Sequence, residues 1–249
     1  MKQPDKYAEL KAVIKEIFKE NKGRYGYRRI TMELHNRGYQ VNHKTVLKLM
    51  KQCSLKCEIR KKKYRSYKGE VGSVAPNQLN RDFSASKPNQ KWVTDVTEFT
   101  IKDKKVYLSP ILDLYNGEII SYNITYHPTF RLVLDMLDKT FDTISNTAGI
   151  VLHSDQGWQY QMELYQRKLK ENGIIQSMSR KGNCLDNAVM ENFFALLKTE
   201  MFYKKEFNSA EQLIQEIEEY IDYYNNKRIK CKLQGMSPVE YRIHFSKVA

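Results

Sequence analysis

Residues 92–99 read WVTDVTEF, and this run of β-branched and aromatic side chains predicts a β-strand. Two further strands are predicted at 106–114 and 119–126, joined through the turn signal YNG at 115–117. Downstream of these strands, helical and strand patterns alternate, which is typical of α/β domains. The predicted elements there are a helix at 130–144, a strand at 150–152, a helix at 161–171, a strand at 174–177 and a helix at 187–202.

Three antiparallel strands followed by alternating helices and strands is the element order of a ribonuclease-H-like α/β core. We therefore predict a mixed five-stranded sheet flanked by helices over residues 89–205. Residues 206–249 are predicted to form a helical extension. Its first helix spans 209–225, with Ser209 as the N-cap and Gln212 at the third helical position, and a final short helix starts near Ser237.

Positive charge is confined to the N-terminal part of the chain. The net charge of the 249 residues is +13, and residues 1–70 hold 20 Lys and Arg against 7 Asp and Glu. The remaining residues hold 22 basic and 22 acidic side chains and are therefore neutral. A basic module attached to a neutral one predicts an electrostatic anchor, and the phosphates of double-stranded DNA are its expected partner.

The composition excludes several other classes of protein. Hydrophobic residues make up 41% of the chain, which supports a packed core and excludes a disordered chain. No run of about eighteen apolar residues occurs, and no apolar signal segment follows Met1, so no membrane association is expected. The 4 cysteines are too few and too scattered for a disulfide framework. We therefore expect a cytoplasmic protein with free thiols.

The basic module is predicted to be a small all-α domain of the helix-turn-helix type. Apolar residues at three- and four-residue spacing predict helices at 7–20 and 27–36, separated by glycines. Asn42 can cap a third helix, which would read a DNA groove and direct Lys44 and Lys48 outward. A three-helix bundle without a role in DNA binding is the alternative.

A basic arm completes this domain, which is predicted to span residues 1–68. Residues 60–68 read RKKKYRSYK, and such interleaving of basic residues with tyrosines suits a segment that follows a nucleic-acid backbone. A solvated run of charge is the alternative. Residues 69–88 contain Gly, Ser, Pro and Asn with little periodicity and are predicted to be a linker. The residues of the arm that we expect to contact DNA are Lys61, Lys62, Lys63 and Arg65.

Three acidic residues stand out by their positions. Asp95 falls in the middle of the first predicted strand, Asp155 follows a short apolar strand, and Glu191 lies within an otherwise apolar helical turn. Their carboxylates are the type of ligand that Mg²⁺ or Mn²⁺ takes. Carboxylates that bridge two such ions can activate a water or a 3′-hydroxyl and stabilise the leaving oxygen of a phosphodiester. The spacing alone does not distinguish such a site from isolated acids that form ion pairs or helix caps.

The sequence around these acids is more informative than their spacing. The chain closely resembles the transposases encoded by the second reading frame of two-frame bacterial insertion elements. These enzymes are Asp-Asp-Glu recombinases and are related to retroviral integrases. The segments that carry the resemblance are NQKWVTDVT at 89–97, HSDQGWQY at 153–160, SMSRKGNCLDNA at 177–188, ENFF at 191–194, YNNKR at 224–228 and SPVEY at 237–241.

The resemblance implies metal-dependent cleavage of DNA at the element ends and transfer of the 3′-hydroxyl to another strand. Asp95, Asp155 and Glu191 match the three catalytic, metal-binding acids, which implies two Mg²⁺ or Mn²⁺ ions. Lys198, seven residues after Glu191, matches a basic residue that such enzymes place against the DNA end. His153 either lines the site or is a satisfied structural histidine. The residues that match without an assigned chemical step are Gly157, Tyr160, Gly182 and Asn187.

The resemblance also implies a homo-oligomer on DNA, associated with the bacterial nucleoid. Two departures from the relatives are visible. The basic module lacks the His/His/Cys/Cys zinc pattern of retroviral integrases, and the chain begins at Met1 without a sustained heptad repeat, whereas two-frame transposases usually act as a fusion with an upstream product. The alternatives are therefore a DNA-binding regulator that is inactive without such a fusion and a nuclease that only hydrolyses DNA.

Overall fold

The computed structural model describes residues 5–57, 73–180 and 184–246, except for the side chains at 184 and 185. The chain divides into two compact units, residues 1–61 together with 226–249, and residues 62–225. Within the described ranges, no helix is both long enough and apolar enough to cross a bilayer. The predicted contacts of the basic arm and one matched glycine lie outside these ranges, namely Lys61, Lys62, Lys63, Arg65 and Gly182.

Three helices form the N-terminal part of the first unit, as the apolar spacing predicts. They are α1 (Ala8–Glu20), α2 (Tyr27–Asn36) and α3 (His43–Gln52). The side chain of Asn42 caps α3 by accepting a hydrogen bond from the backbone N–H of Lys44 at 2.8 Å. The residues buried between the three helices are Ile14, Ile17, Ile30, Leu34, Val46 and Leu49.

The second unit is built on a mixed six-stranded sheet. The strands are β1 (Lys91–Thr94), β2 (Thr97–Ile101), β3 (Lys104–Asp113), β4 (Ile119–Thr125), β5 (Val151–Ser154) and β6 (Ile175–Met178). β3 pairs antiparallel with β1, β2 and β4, whereas β5 runs parallel to β1 and β6. The predicted antiparallel start of the core is therefore confirmed.

The sheet has six strands instead of five because the first predicted strand is divided in two. β1 and β2 keep one register along β3, and the ladder is interrupted only between them. The two residues of β3 opposite the break are Pro110 and Ser109, and Pro110, which faces Asp95, has no N–H to donate to its neighbour. Its carbonyl instead accepts the side-chain hydroxyl of Thr94 at 2.9 Å. The prediction that Asp95 lies mid-strand is therefore wrong, because this residue lies just beyond the end of β1.

Helices cover both faces of the sheet. The helices are α4 (Arg131–Thr143), α5 (Trp158–Gln161), α6 (Glu163–Glu171), α7 (Ala188–Glu200) and α8 (Ala210–Asn226). One core lies between the sheet and α7 and α8, and the other between the sheet and α4 and α6. The period-two alternation of a strand sends Val93 into the first core and Trp92 into the second. The predicted cap of α8 is confirmed, because Ser209 Oγ accepts the backbone N–H of Gln212 at 3.2 Å.

Residues 73–83, which we call the strap, pack against the rest of the second unit. Leu79 is buried, and the backbone N–H groups of Gln78 and Leu79 both donate to Ser177 Oγ on β6, at 2.9 and 3.2 Å. The side chains of Asn77 and Arg81 reach Asp186, which lies just before α7. The described part of the predicted linker is therefore bonded to the core over much of its length, because its polar groups pair with β6 and with Asp186.

The C-terminal residues complete the first unit. A 3₁₀ turn (Cys231–Leu233) and α9 (Pro238–Ser246) follow α8. The buried hydroxyl of Tyr25 donates to the carbonyl of Lys227 at 3.2 Å and accepts the N–H of Ile229 at 3.0 Å. The predicted extension at 206–249 is thus shared between the two units, and its last part belongs with the N-terminal helices.

Candidate active site

The carboxyl ends of β1 and β5 bring Asp95 and Asp155 together. These strands are parallel neighbours, and their register pairs Trp92 with Leu152 and Val93 with His153. The residues just beyond the two strands therefore stand side by side, on backbones that lie about 4.8 Å apart. Open α/β sheets hold their ligands at this edge, outside the carboxyl ends of the strands.

Backbone and side-chain donors hold both carboxylates in place. The N–H of Val96 donates to Asp95 Oδ1 at 2.7 Å, and the side-chain amide of Asn187 donates to Asp95 Oδ2 at 3.1 Å. The N–H of Gly157 donates to Asp155 Oδ1 at 2.8 Å. The two acids are thus oriented by neighbours within the second unit before any ligand binds.

The environment of these carboxylates disfavours their charged forms. Burial raises the pKa of Asp95 well above its ordinary value, and the negative charges of Asp155 and, to a smaller extent, Glu191 raise it further. Burial also raises the pKa of Asp155. The neighbouring phenol of Tyr160 is fully buried, and its pKa is raised by burial and by the charges of the same two aspartates. A bound cation would relieve this accumulation of negative charge.

Glu191 lies near the two aspartates, but its side chain does not converge with theirs as the ligands of one ion would. It is in the first turn of α7, and its side chain is exposed. In the part of the chain that the structure describes, no three His, Cys, Asp or Glu side chains converge closely enough to hold an ion. The structure therefore brings Asp95 and Asp155 together as predicted and leaves Glu191 beside them.

The residues present suit a hard cation such as Mg²⁺. All three acids offer oxygen, the ligand type that Mg²⁺ and Mn²⁺ prefer. A second indication is the side-chain oxygen of Asn187, which is buried beside Asp95 and accepts no hydrogen bond from the described residues. An unpaired buried acceptor is uncommon, and a hydrated ion could supply its donor.

Two side-chain ends approach the Cα of Gly157 closely. A Cβ at this position would lie 2.7 Å from Gln159 Nε2 and 2.9 Å from Asp155 Oδ1. Its backbone angles, φ −58° and ψ 142°, are open to any residue, so a left-handed conformation is not the reason for glycine. The contact with Asp155 is the feature that links this glycine to the site.

We expect Gly157→Ala to displace the Asp155 carboxylate at little cost in stability, because the atoms in its way are the ends of flexible side chains. A displacement of about 1 Å at a reacting centre can cost roughly 100-fold in rate. DNA-joining assays should therefore show a loss of that order, while the melting temperature stays within about 2 °C of the wild type, less than 1 kcal/mol. Full joining activity in this variant would contradict the assignment of Asp155.

His153 is fully buried and has a partner at each ring nitrogen. Nδ1 lies 2.8 Å from Ser177 Oγ and Nε2 lies 3.2 Å from Ser179 Oγ. Ser177 Oγ already accepts two strap N–H groups, so its own proton is available to Nδ1 and Nε2–H donates to Ser179. Burial lowers the pKa of this histidine to about 4, which matches a neutral ring. These contacts support the structural interpretation of His153, and its lining of the site stays a prediction.

The predicted DNA contacts are distributed over both units. Lys44 and Lys48 lie on the exposed face of α3, as the helical spacing predicts. Lys198 donates to the carbonyl of Glu98 at 2.9 Å, and its ammonium lies 5.1 Å from the centre of the Phe99 ring. Contact of these three lysines with DNA stays a prediction.

Sequence reasoning missed the group that supports the start of α7. Asp186 is 1% exposed and accepts hydrogen bonds from Asn77, Arg81 and Arg180. Its only sequence signal is the pair Asp186-Asn187 before an apolar helix, which also fits an ordinary helix cap. The two partners on the strap lie more than 100 residues away in the chain, and the local pattern gives no sign of them.

Three protein families match this chain. Residues 5–63 match a helix-turn-helix-like domain, and residues 85–184 and 191–245 match two families that are each described as an integrase core domain. Asp95 and Asp155 lie within the first of these core matches, and the second begins at Glu191.

Similar full-length proteins are transposases of insertion sequences. The "Putative transposase InsK for insertion sequence element IS150" of Escherichia coli is 57% identical over 97% of this chain and 86% of its own length. The "Probable transposase for insertion sequence element IS1353" of Shigella flexneri is 42% identical over 96% of this chain and 47% of its own length.

A solved integrase structure has the same fold. The magnesium complex of the HTLV-2 integrase catalytic core domain, in a trimeric form, superimposes with a TM-score of 0.52 at 16% identity, over 64% of this chain and 99% of that one. This likeness confirms the predicted ribonuclease-H-like integrase core.

Proposed function

The chain belongs to the insertion-sequence transposases with an integrase core, and we propose that it cuts DNA at the 3′ ends of its element and joins the freed 3′-hydroxyls to another DNA strand. The observation that carries the proposal is the pairing of Asp95 and Asp155 at the carboxyl ends of β1 and β5, with Glu191 beside them. These are the acids that the resemblance assigns to catalysis.

The three acids would hold two Mg²⁺ or Mn²⁺ ions. When bound, the ions supply positive charge that activates the attacking oxygen and stabilises the leaving oxygen. The half-buried carboxylates of Asp95 and Asp155 repel each other, and this supports the assignment, because such a pair is stabilised by cations. The hydrogen bonds from Val96 and Gly157 hold one oxygen of each carboxylate and so limit the positions that the other oxygen can take.

Both reaction steps exchange one phosphodiester bond for another phosphorus–oxygen bond. In cleavage, a water oxygen attacks the phosphorus and the bond to the 3′-oxygen breaks, which leaves a 3′-hydroxyl on the element. In joining, that hydroxyl attacks a phosphorus of the target and displaces the target's own 3′-oxygen. No side chain forms a covalent bond with DNA in either step, because water and the 3′-hydroxyl are the nucleophiles.

The helical domain and its basic arm would hold the DNA duplex. Lys44 and Lys48 project from α3, the helix that follows the tight turn after α2. We infer that the protein acts as a homo-oligomer on DNA. An upstream-frame product, as a separate partner or as a fusion, is the further partner that the resemblance implies.

We expect Lys44→Ala and Lys48→Ala to weaken DNA binding and to reduce its dependence on salt. If the protein neutralises about six phosphates, the log–log slope of affinity against salt is near −5, and each lost phosphate contact reduces its size by about 1. Lys15→Ala is the matched control, because Lys15 is exposed on α1 and not on the proposed reading helix. Anisotropy titrations at several salt concentrations measure the slopes, and equal slopes for all three variants would contradict the role of α3.

A pre-cut DNA end separates the proposed function from its two alternatives. The substrate is a labelled duplex with the terminal sequence of the element and a free 3′-hydroxyl, incubated with target DNA and Mn²⁺. The proposal expects labelled target DNA. Shortened DNA without joining would identify a nuclease. Binding without reaction, followed by joining when the chain is fused to the upstream product, would identify a regulator that depends on fusion.

A further inference from the structure

The side-chain amide of Asn187 forms a hydrogen bond through its nitrogen, whereas its oxygen has no hydrogen-bond partner among the described residues. Its nitrogen donates to Asp95 Oδ2 at 3.1 Å. Its oxygen is buried, since only 4% of the residue is exposed. This oxygen accepts no hydrogen bond from the residues that the structure describes. Leaving a buried carbonyl oxygen without a donor is unfavourable, and such groups are rare in native proteins unless a ligand or water fills the gap.

The position of Asn187 is fixed by the aspartate that precedes it. Five donor groups meet on the carboxylate of Asp186, and they hold the 3₁₀ turn (Cys184–Asn187) from which α7 begins. The donors are Asn77 Nδ2 at 3.1 Å, Arg81 Nε at 2.8 Å, and the backbone N–H, Nε and Nη2 of Arg180, each at 3.0 Å. Charge-assisted bonds of this kind are strong and directional.

This arrangement connects the strap to the acids. Asn77 and Arg81 bind Asp186, the next residue along the chain is Asn187, and Asn187 binds Asp95. Glu191 follows four residues later in the same helix. Through these bonds the strap fixes the start of α7 relative to the end of β1, which are the two elements that carry Glu191 and Asp95.

We propose that Asn187 is a positioning residue for the metal site, which orients Asp95 with its amide nitrogen and binds a water molecule of the hydrated cation with its amide oxygen, while the Asp186 cluster holds it in place. This inference rests on the proposed function, because it assigns partners to the ion that the acids are expected to bind. Groups that orient the ligands of a metal typically change its affinity by about 10- to 100-fold.

The test is calorimetric titration of the full-length protein with Mg²⁺ alone, without DNA and without an activity readout. We expect Asn187→Ala to weaken Mg²⁺ binding by about 10- to 100-fold. Asn192→Ala is the matched control, since Asn192 is exposed on the same helix. This variant should bind Mg²⁺ with the affinity of the wild type. Arg81→Gln acts on Asn187 only through Asp186, so it should weaken Mg²⁺ binding by a smaller factor. This variant keeps the test decisive if Asn187→Ala fails to fold.

The outcomes separate this inference from the proposed function. A wild type that binds no Mg²⁺ would overturn the proposed metal site, and this inference with it. A wild type that binds Mg²⁺, together with unchanged affinity in Asn187→Ala and Arg81→Gln, would overturn the positioning role alone. A loss in Asn192→Ala as large as that in Asn187→Ala would also overturn it, because any change to α7 would then have the same effect.

Discussion

Replacing Asp95 with Asn should reduce the rates of DNA cleavage and DNA joining by at least about 1,000-fold, while the affinity for DNA stays unchanged. Asn keeps the shape of the side chain but removes the charge that would hold the ions, whose stabilisation of the reaction is worth several kcal/mol. Asp155→Asn and Glu191→Gln should have effects of the same order. DNA binding should survive because we place it mainly in the basic helical domain and its arm.

The matched control is Asp103→Asn, since Asp103 is an exposed aspartate of the same unit, in the connection between β2 and β3. This variant should cleave and join at the rate of the wild type. If one of the three active-site variants instead retained normal cleavage and bound DNA more weakly, that acid would have to be removed from the catalytic set. The result for Glu191→Gln is the most informative of the three, because Glu191 is exposed and does not converge with the two aspartates in the described structure.

Magnesium should raise the melting temperature of the wild-type core by about 5–10 °C when it is present at roughly 100 times its dissociation constant, and Asp95→Asn should lose most of this shift. Binding at that ratio stabilises the folded state by about 2.7 kcal/mol, and each kcal/mol shifts the melting temperature of a domain of this size by about 2–4 °C. Calorimetric scans with and without EDTA measure both values. An equal shift in the two proteins would place the ion elsewhere.

Without divalent ions, Asp95→Asn should melt at a higher temperature than the wild type at neutral pH. This order is the reverse of the one expected when Mg²⁺ is bound. The pKa of Asp95 is raised in the folded state by burial and by Asp155, so the folded protein takes up a proton more readily than the unfolded chain. Stability from this group is therefore lost as the pH rises through the raised pKa and regained as the pH falls towards 3.8.

Comparison of the wild type with Asp95→Asn isolates the contribution of Asp95 from that of His153. The folded-state pKa of His153 is lowered to about 4 from 6.5, so its contribution is present above pH 6.5 and lost as the pH falls to about 4. The contribution of His153 to stability changes with pH in the opposite direction to that of Asp95, but it is the same in both proteins. The advantage of Asp95→Asn should therefore shrink on acidification, and a constant difference between pH 7 and pH 4 would contradict a raised pKa.

Local patterns in the sequence predicted the elements of the core and the three helices of the basic module. The reason is that apolar periodicity and turn residues act on neighbours in the chain. The division of the first strand at Asp95 was not predicted, since it arises from Pro110, which faces the break from another strand. The same break releases Asp95 from the ladder and places it at the site.

The proposed catalytic acids were predicted from the sequence motifs around them, whereas the residues that support them depend on contacts between distant segments. The strap contains turn-forming residues and little periodicity, which predicts a linker, yet its Asn77 and Arg81 bind Asp186 more than 100 residues later. Likewise, the environment of His153 depends on Ser177 and Ser179 of a separate strand region. Such long-range polar pairs leave no periodic signal in a single sequence.

The most direct test of the proposed chemistry is the stereochemical course of the joining step at the target phosphorus. A target strand with a phosphorothioate of known configuration is joined to a pre-cut element end by the protein with Mg²⁺ or Mn²⁺, and the configuration of the product is determined. Direct in-line attack by the 3′-hydroxyl, assisted by ions at Asp95, Asp155 and Glu191, predicts inversion. Retention of configuration would reveal a covalent protein–DNA intermediate and would contradict the account.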